Sequence, residues 1–314
     1  MNARVGYHLV AFVTVAIWGS TFVFTKLLLL NGLSPAQIFT LRFLIAYVLL
    51  LAFSLLKGDE RRSLVLSRQR SGGSWKSLLK RELLMLSLGV TGGSVYFLTE
   101  NEALNYTTTT NVSLIVCSCP LVAAVLIGLF YKSERLRPVQ IVGTLMAVLG
   151  VSAVVLNGHF VLHLSPVGDA LALGANLCWA IYSLLMIPAN KHYGALFITR
   201  KVFLYGLLTM IPYYILVPAE LPVQLGGTLD LAILLDPQVL THLLFLGVVA
   251  SCICFLVWTW VMDKLGAMIA TNYVYVNPLS TIVVASLVLN EQITVYFLLG
   301  ALLIVGGMYL ADRK

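Results

Sequence analysis

The sequence predicts an all-α integral membrane protein: ten transmembrane helices forming two five-helix repeats of inverted topology, with both termini cytoplasmic. Three observations predict it. Hydrophobic residues make up 60% of the chain and charged residues only 11%, with a mean hydropathy of +0.94, whereas a soluble domain is about one quarter charged. The apolar residues fall in long runs with short connections. The lysines and arginines gather in alternate connections.

A spanning helix needs about 20 apolar residues at ~1.5 Å rise per residue. Runs of that kind lie near 9–30, 36–56, 83–104, 108–131, 138–157, 167–189, 197–217, 239–262, 267–289 and 293–311. The first follows Arg4 and is read as a retained span, since it exceeds a signal-peptide core of about 7–15 residues and lacks a small-residue cleavage site. With the N-terminus inside, 18 of the 20 Lys and Arg fall on the cytoplasmic side, all but Lys26 and Arg42. The outer connections 31–35, 105–107, 158–166, 218–238 and 290–292 hold none. Cytoplasmic enrichment in Lys and Arg sets orientation, so the distribution supports both the span count and the direction. The basic stretch 58–81 reads as a solvated cytoplasmic loop. The excess of basic residues therefore reports topology and contact with membrane lipid, and no nucleic-acid partner is expected.

The two halves, 1–157 and 158–314, resemble one another in register. Trp18 in IWGSTFVFTK pairs with Trp179 in LCWAIYSLLM, and AQIFTLRF pairs with ALFITRKV. CPLVAAVLIGLFYKSERL pairs with NPLSTIVVASLVLNEQI, which aligns Pro120 with Pro278, Gly143 with Gly300 and Gly150 with Gly307. Five spans per half is an odd number, so the second repeat enters the membrane upside down. Inverted repeats are a hallmark of secondary transporters; duplication also builds channels and scaffolds.

These motifs, in this order, resemble the EamA-type members of the drug/metabolite transporter superfamily. The WGSTFVFTK segment, the LRF of the second span, the proline-containing fourth and ninth spans followed by E or NE, and the Gly-rich fifth and tenth spans carry the resemblance. It implies a ten-helix bundle whose cavity is lined by spans 1, 3, 4, 6, 8 and 9, with spans 5 and 10 at the periphery. It also implies a carrier for amino acids or related small metabolites in a cytoplasmic (inner) membrane, with efflux the leading direction. The long basic loop after span 2 and the ENE triplet of span 3 depart from the family pattern.

Charges within a membrane are costly and mark function by default. Lys26 lies ~6 Å and Arg42 ~9 Å from the outer face at ~1.5 Å per residue, at the depth of Glu100 and Glu102. They are expected to form an ionic gate or a contact for a zwitterionic substrate, against a static helix pair or snorkelling side chains. Glu100 and Glu102 are about 200° apart around a helix, so only one can face a cavity squarely.

Trp18, Thr21, Tyr96, Asn101, Asn111, Trp179, Tyr182, Trp258 and Tyr275 are the remaining cavity candidates. Substrate pockets are mainly apolar and aromatic with a few placed polar groups; each residue could equally serve helix packing. Pro120 and Pro278 are expected to kink spans 4 and 9 and free carbonyls near 116 and 274.

His159 and His163 have helical metal-pair spacing but no evident third ligand, so no metal or cofactor is expected. No GxxxxGK[ST] is present, nor a nucleophile–His–acid constellation, so no catalytic residue is assigned. An intramembrane lipid-modifying enzyme would cluster His, Asp and Glu at inner span ends, which this chain lacks. Substrate identity, energy coupling and oligomeric state are not readable from these residues.

Overall fold

Proline and polar caps punctuate the apolar runs, and the helices begin where they stand. The computed structural model describes residues 3–56, 75–106, 109–131, 137–156, 165–218, 231–289 and 294–311. Their helices are α1 (Ala3–Leu30), α2 (Pro35–Leu56), α3 (Trp75–Gly89), α4 (Val95–Tyr106), α5 (Thr109–Cys117), α6 (Cys119–Phe130), α7 (Pro138–Leu156) and α8 (Pro166–His192). They continue with α9 (Ala195–Leu208), α10 (Ile211–Leu216), α11 (Leu231–Leu235), α12 (Pro237–Leu244), α13 (Cys254–Leu265), α14 (Ala267–Asn272), α15 (Asn277–Leu289) and α16 (Val295–Ala311). Wide π turns at Val90–Ser94 and Phe245–Ile253 join α3 to α4 and α12 to α13, and a tight 3-10 turn at Tyr273–Val276 joins α14 to α15.

Among the described residues eight helical stretches, counted through their π and 3-10 turns, are long and apolar enough to cross a membrane, and two shorter apolar stretches, Leu114–Phe130 (counted through Ser118) and Val295–Ala311, accompany them. The chain is therefore an all-helical, multi-span membrane protein. In such a protein every backbone polar group must be satisfied inside a helix or by a neighbour.

The caps show how the sequence does this at helix starts. Ser34 and Gln37 exchange backbone-to-side-chain hydrogen bonds of 2.9 and 3.2 Å around Pro35, a capping box at the start of α2. Asp236 accepts from the amides of Gln238 and Val239 at 2.8 and 3.2 Å at the start of α12. Gly32 ends α1 at φ 91° and Gly266 turns the chain from α13 to α14 at φ 87°, a region that favours glycine.

Two sequence expectations are corrected. The basic loop expected over 58–81 is helical from Trp75, because Arg81 and Glu82 belong to a helix that packs on α9. Residues 57–74 lie outside the described residues. Arg200, counted on the cytoplasmic side at the inner end of the run 197–217, is not solvent-facing there: it is buried in α9, donating to Ser54 Oγ at 3.1 Å.

The chain forms two compact units, each drawn from both sequence halves: Met1–Val23, Tyr96–Leu184 and Lys264–Lys314, and Phe24–Val95 with Leu185–Asp263. The first unit is built on the α7–α16 joint. Gly143 faces Gly307 and Gly150 faces Gly300, so closely that a Cβ on Gly143 would sit 2.5 Å from the Ala311 amide nitrogen and 2.6 Å from the Gly307 carbonyl oxygen. Without a hydrophobic drive between helices in lipid, such small residues let backbones approach and gain dispersion contact. Ala147, Val151, Val154, Tyr275 and Ile304 close the core beside them.

The second unit has an aromatic core. Phe43 meets Phe39, Phe203 and Phe255 at ring-centroid distances of 4.1, 4.3 and 6.1 Å. Gly89 and Gly206 leave room for α3 and α9 to touch beneath it. Polar ties cross the same unit: Arg42 Nε donates to Ser251 Oγ at 2.9 Å, and the Thr199 and Thr259 hydroxyls lie 3.0 Å apart. At one end Glu82 accepts from Lys201 at 2.9 Å, from Tyr205 at 2.5 Å and from Arg81 at 2.7 Å.

Candidate functional site

Within the first unit, four aromatic rings converge on α8. Trp179 stands edge-on to Trp18 of α1 at 5.7 Å, and lies 5.1 Å from both Tyr96 of α4 and Tyr182 of its own helix. Offset and edge-on contacts of this kind suit the ring quadrupoles. The cluster has a carboxylate at its border: Tyr96 Oη donates to Glu100 Oε1 at 2.9 Å, and Glu100 is 5% exposed. Asn101 beside it is buried, and Glu102 is half-buried.

The break in the fourth apolar run lies next to this cluster in the chain of contacts. α5 stops at Cys117 and α6 begins at Cys119, with Ser118 at φ −79°, ψ −1° and Pro120 in the first turn of α6. Proline fits a first turn because it has no N–H to satisfy there. Asn176, one turn before Trp179 and Ala180, donates Nδ2 to the Ile115 carbonyl at 2.5 Å and to Ser118 Oγ at 2.9 Å. The amide thus adds a third donor to a carbonyl that already accepts from the Ser118 amide at 3.2 Å and the Ser118 hydroxyl at 2.6 Å.

A second tie joins α15 to α1. Thr281 of α15 donates to the Gly19 carbonyl of α1 at 2.8 Å. A Cβ on Gly19 would fall 2.5 Å from the Asn277 carbonyl oxygen, so only glycine permits this approach. Pro278 is the second residue of α15, directly after the 3-10 turn. Thr21, near it on α1, spends its hydroxyl on the Trp18 carbonyl at 2.6 Å.

Asn176 Oδ1, Tyr275 Oη and Asn277 Oδ1 are buried polar atoms of this unit that have no hydrogen-bond partner among the described residues. Each such atom costs about 1–3 kcal/mol in a dry interior, and native proteins keep them where water or a ligand arrives. All three sit on or against the broken helices. Amphipathic aromatics, a carboxylate and open amide and phenol groups together can hold and orient a small amphipathic molecule.

The structure thus brings together Trp18, Tyr96, Glu100, Trp179 and Tyr182, and places Thr21, Asn101, Tyr275, Pro120 and Pro278 in the same unit. Arg42 and Trp258 belong to the second unit, both buried. The side chains of Lys26 and Asn111 lie outside the described positions, as do His159 and His163. Among the described residues no group of three or more His, Cys, Asp and Glu could hold a metal ion. Sequence reasoning gave Ser118 no role and Asn176 only a general one; an Asn one turn before a repeat-related Trp was the available signal.

Broken membrane-spanning helices around a buried polar and aromatic cluster define a multi-span membrane protein of transporter type. The chain belongs to the EamA-like transporter family, whose model matches residues 6–156 and again 166–311. It is therefore not assigned to an enzyme class. It is 28% identical over 316 residues to an "Uncharacterized transporter" of Archaeoglobus fulgidus, covering 100% of this chain and 99% of that protein. It is 24% identical over 304 residues to the "Probable amino-acid metabolite efflux pump" of Escherichia coli K12, over 96% and 92% of the two chains. A solved crystal structure shares the fold at a TM-score of 0.73 and 20% identity, over 98% of this chain and 97% of that one.

Proposed function

We propose that this protein is a secondary transporter or facilitator that exports a small amino-acid-like metabolite across the cytoplasmic membrane by alternating access. In this reading ten spans form two inverted repeats, 1–157 and 158–314, with both termini inside. Two relatives, of Escherichia coli and Salmonella typhimurium, carry the name amino-acid metabolite efflux pump at 24% identity each. The substrate would lie against Trp18, Tyr96, Trp179 and Tyr182, with Glu100 and the open Asn176 oxygen fixing its polar end.

The observation that carries the reading is the reciprocal pairing within the first unit. The first helix of the second repeat, α8, caps the broken span of the first repeat at Ile115, and α1 receives Thr281 from the broken span of the second. In this reading the first helix of each repeat is tied to the proline-containing span of the other, and inverted repeats with discontinuous helices at the binding site are the transporter pattern.

The test is counterflow in proteoliposomes preloaded with a pool of amino acids and related metabolites, with and without a pH gradient. Saturable exchange with trans-stimulation is expected. Linear, unsaturable flux would indicate a channel and refute alternating access. Absence of any exchange by folded protein over that pool would refute the amino-acid-like substrate class.

A further inference from the structure

The first unit also contains a cavity of about 350 Å3 that the aromatic cluster does not use. Its wall is formed by His8 and Phe12 of α1, by Asn272, Tyr273 and Val276 around the α14–α15 junction, and by Val305 and Tyr309 of α16, among others. Phe12, Val305 and Tyr309 are themselves exposed, at 44%, 58% and 62%. On membrane-spanning helices such residues face hydrocarbon, so the cavity opens sideways to the bilayer.

Most of the wall is apolar, and none of its described residues is Lys, Arg, Asp or Glu. One part differs. His8 Nδ1 and the Tyr273 hydroxyl are hydrogen-bonded to one another at 2.7 Å. Next to Tyr273 in the chain stands Asn272, 6% exposed, whose side-chain amide makes no hydrogen bond among the described residues. An amide carries two donors and an acceptor, and burying them unmet is costly. Since Asn272 lines the cavity, a molecule that enters there can meet them. The depth of this polar patch is informative. α1 has 28 residues and is about 42 Å long, close to a full bilayer of about 40–45 Å. His8 lies five residues from the start of α1 and Asn272 five from the start of α14. Both therefore stand ~8 Å inside the helix ends, where the interfacial region gives way to hydrocarbon.

We infer that this cavity binds one uncharged, single-chain amphipath of the bilayer, of the monoacylglycerol class. Its hydroxyl or ester carbonyl meets the Asn272 amide, and its chain passes Phe12, Val276 and Val305 into the surrounding lipid. An ionised head would find neither a countercharge on the wall nor water to replace it. A purely apolar chain would leave the Asn272 amide unmet. At about 30 Å3 for each water-sized group, the space takes on the order of 12 non-hydrogen atoms, which is a head and part of one chain and not the paired chains of a phospholipid. Tyr273 and Val276 are the two ends of the 3-10 turn, so the bound molecule braces the joint between α14 and α15 from its lipid side. This site is separate from the proposed substrate site and does not depend on what is transported.

The test is photolabelling of the full-length protein in phosphatidylcholine proteoliposomes with a 1-monoacylglycerol that carries a diazirine in its chain, the labelled peptides being located by mass spectrometry. Labelling around Phe12 and Val305 should saturate. Unlabelled 1-monooleoylglycerol should compete for it, and oleate at alkaline pH, where its head is ionised, should not. Asn272→Leu should weaken the apparent affinity by about three- to tenfold, the loss of one hydrogen-bonded group from a dry site. Val305→Trp, at an exposed position that leaves the core intact, should fill the mouth and abolish the saturable labelling. Circular dichroism and elution position confirm that both variants are folded. Unsaturable labelling, equal in wild type and Val305→Trp, would identify contact with bulk lipid only and overturn the site. Unchanged affinity in Asn272→Leu, or equal competition by oleate, would overturn the uncharged, hydrogen-bonded head.

Discussion

Replacing Gly143 by alanine places a methyl group where the backbone of α16 already is. The nearest atoms would be the Ala311 nitrogen at 2.5 Å and the Gly307 oxygen at 2.6 Å, whereas ordinary contact begins at 3.4 Å. The helices would have to part by just under 1 Å, and since the atoms met are backbone, no side chain can swing aside. Overpacking of this kind costs about 1–3 kcal/mol. At roughly 2–4 °C per kcal/mol for a large chain, the melting temperature in detergent should fall by about 2–12 °C. Gly307→Ala should do the same, with its Cβ 2.5 Å from the Gly143 carbonyl oxygen. Gly306→Ala on the same helix is the control: it meets only the terminal methyl of Met146, which can rotate away. Scanning fluorimetry of the three variants separates the cases. The double variant Gly143→Ala/Gly307→Ala should fall short of the sum, because one displacement relieves both contacts. If Gly143→Ala and Gly307→Ala melt no lower than Gly306→Ala, the close approach of α7 and α16 is refuted.

Other perturbations address the site and the second unit. Asn176→Leu keeps the side-chain bulk but removes one of three donors to the Ile115 carbonyl, the Ser118 amide and hydroxyl remaining at 3.2 and 2.6 Å, so about 0.5–1.5 kcal/mol of stability should be lost; an unchanged melting temperature would mean that Asn176 does not tie α8 to α5. Glu100→Gln should lower transport in the counterflow assay, and normal transport by this variant at every pH tested would remove Glu100 from the mechanism. Glu82→Gln should cost no more than about 1 kcal/mol, as the carboxylate is 30% exposed. That loss should shrink as sodium chloride is raised toward 1 M, since partly exposed ion pairs are screened; a salt-independent loss would point to the Tyr205 hydrogen bond instead.

The helical, multi-span character and the family were legible because both rest on patterns repeated over the whole chain. An apolar run of span length has few alternatives to a helix in lipid, and motifs such as WGSTFVFTK and the paired proline spans keep their order across two repeats. Local events were less legible. The fourth run appears continuous by hydropathy; Pro120 marks the bend, but the break itself falls two residues earlier at Ser118, whose hydroxyl turns back on Ile115 at 2.6 Å. At Val90–Ser94 the trace is the Gly92–Gly93 pair, Gly93 adopting φ −130°, ψ −107°, whereas the π turn at Phe245–Ile253 leaves none that stands out, since adding one residue to a turn changes spacing and not residue type. Counting charges places Arg200 at the surface because a count ignores which face of the helix a residue occupies; its neighbour Lys201 does reach a carboxylate, while Arg200 turns inward to Ser54. Site residues were named from the span to which they belong, and only coordinates could sort Trp179, which meets three other rings of the cluster, from Trp258, which belongs to the other unit.

The α7–α16 joint also dictates the order in which the protein can be finished. α7 ends at Leu156, but its partner α16 ends at Ala311, the last described residue of the chain. At about 5–20 residues per second of synthesis, roughly 8–30 s separate the two. Throughout that interval the glycine face of α7 has no backbone to meet and must wait in the bilayer or beside an insertion factor. The first unit therefore closes only after α16 has entered the membrane. A ribosome stalled ahead of α16 would leave a chain whose earlier helices are inserted and whose first unit is still open.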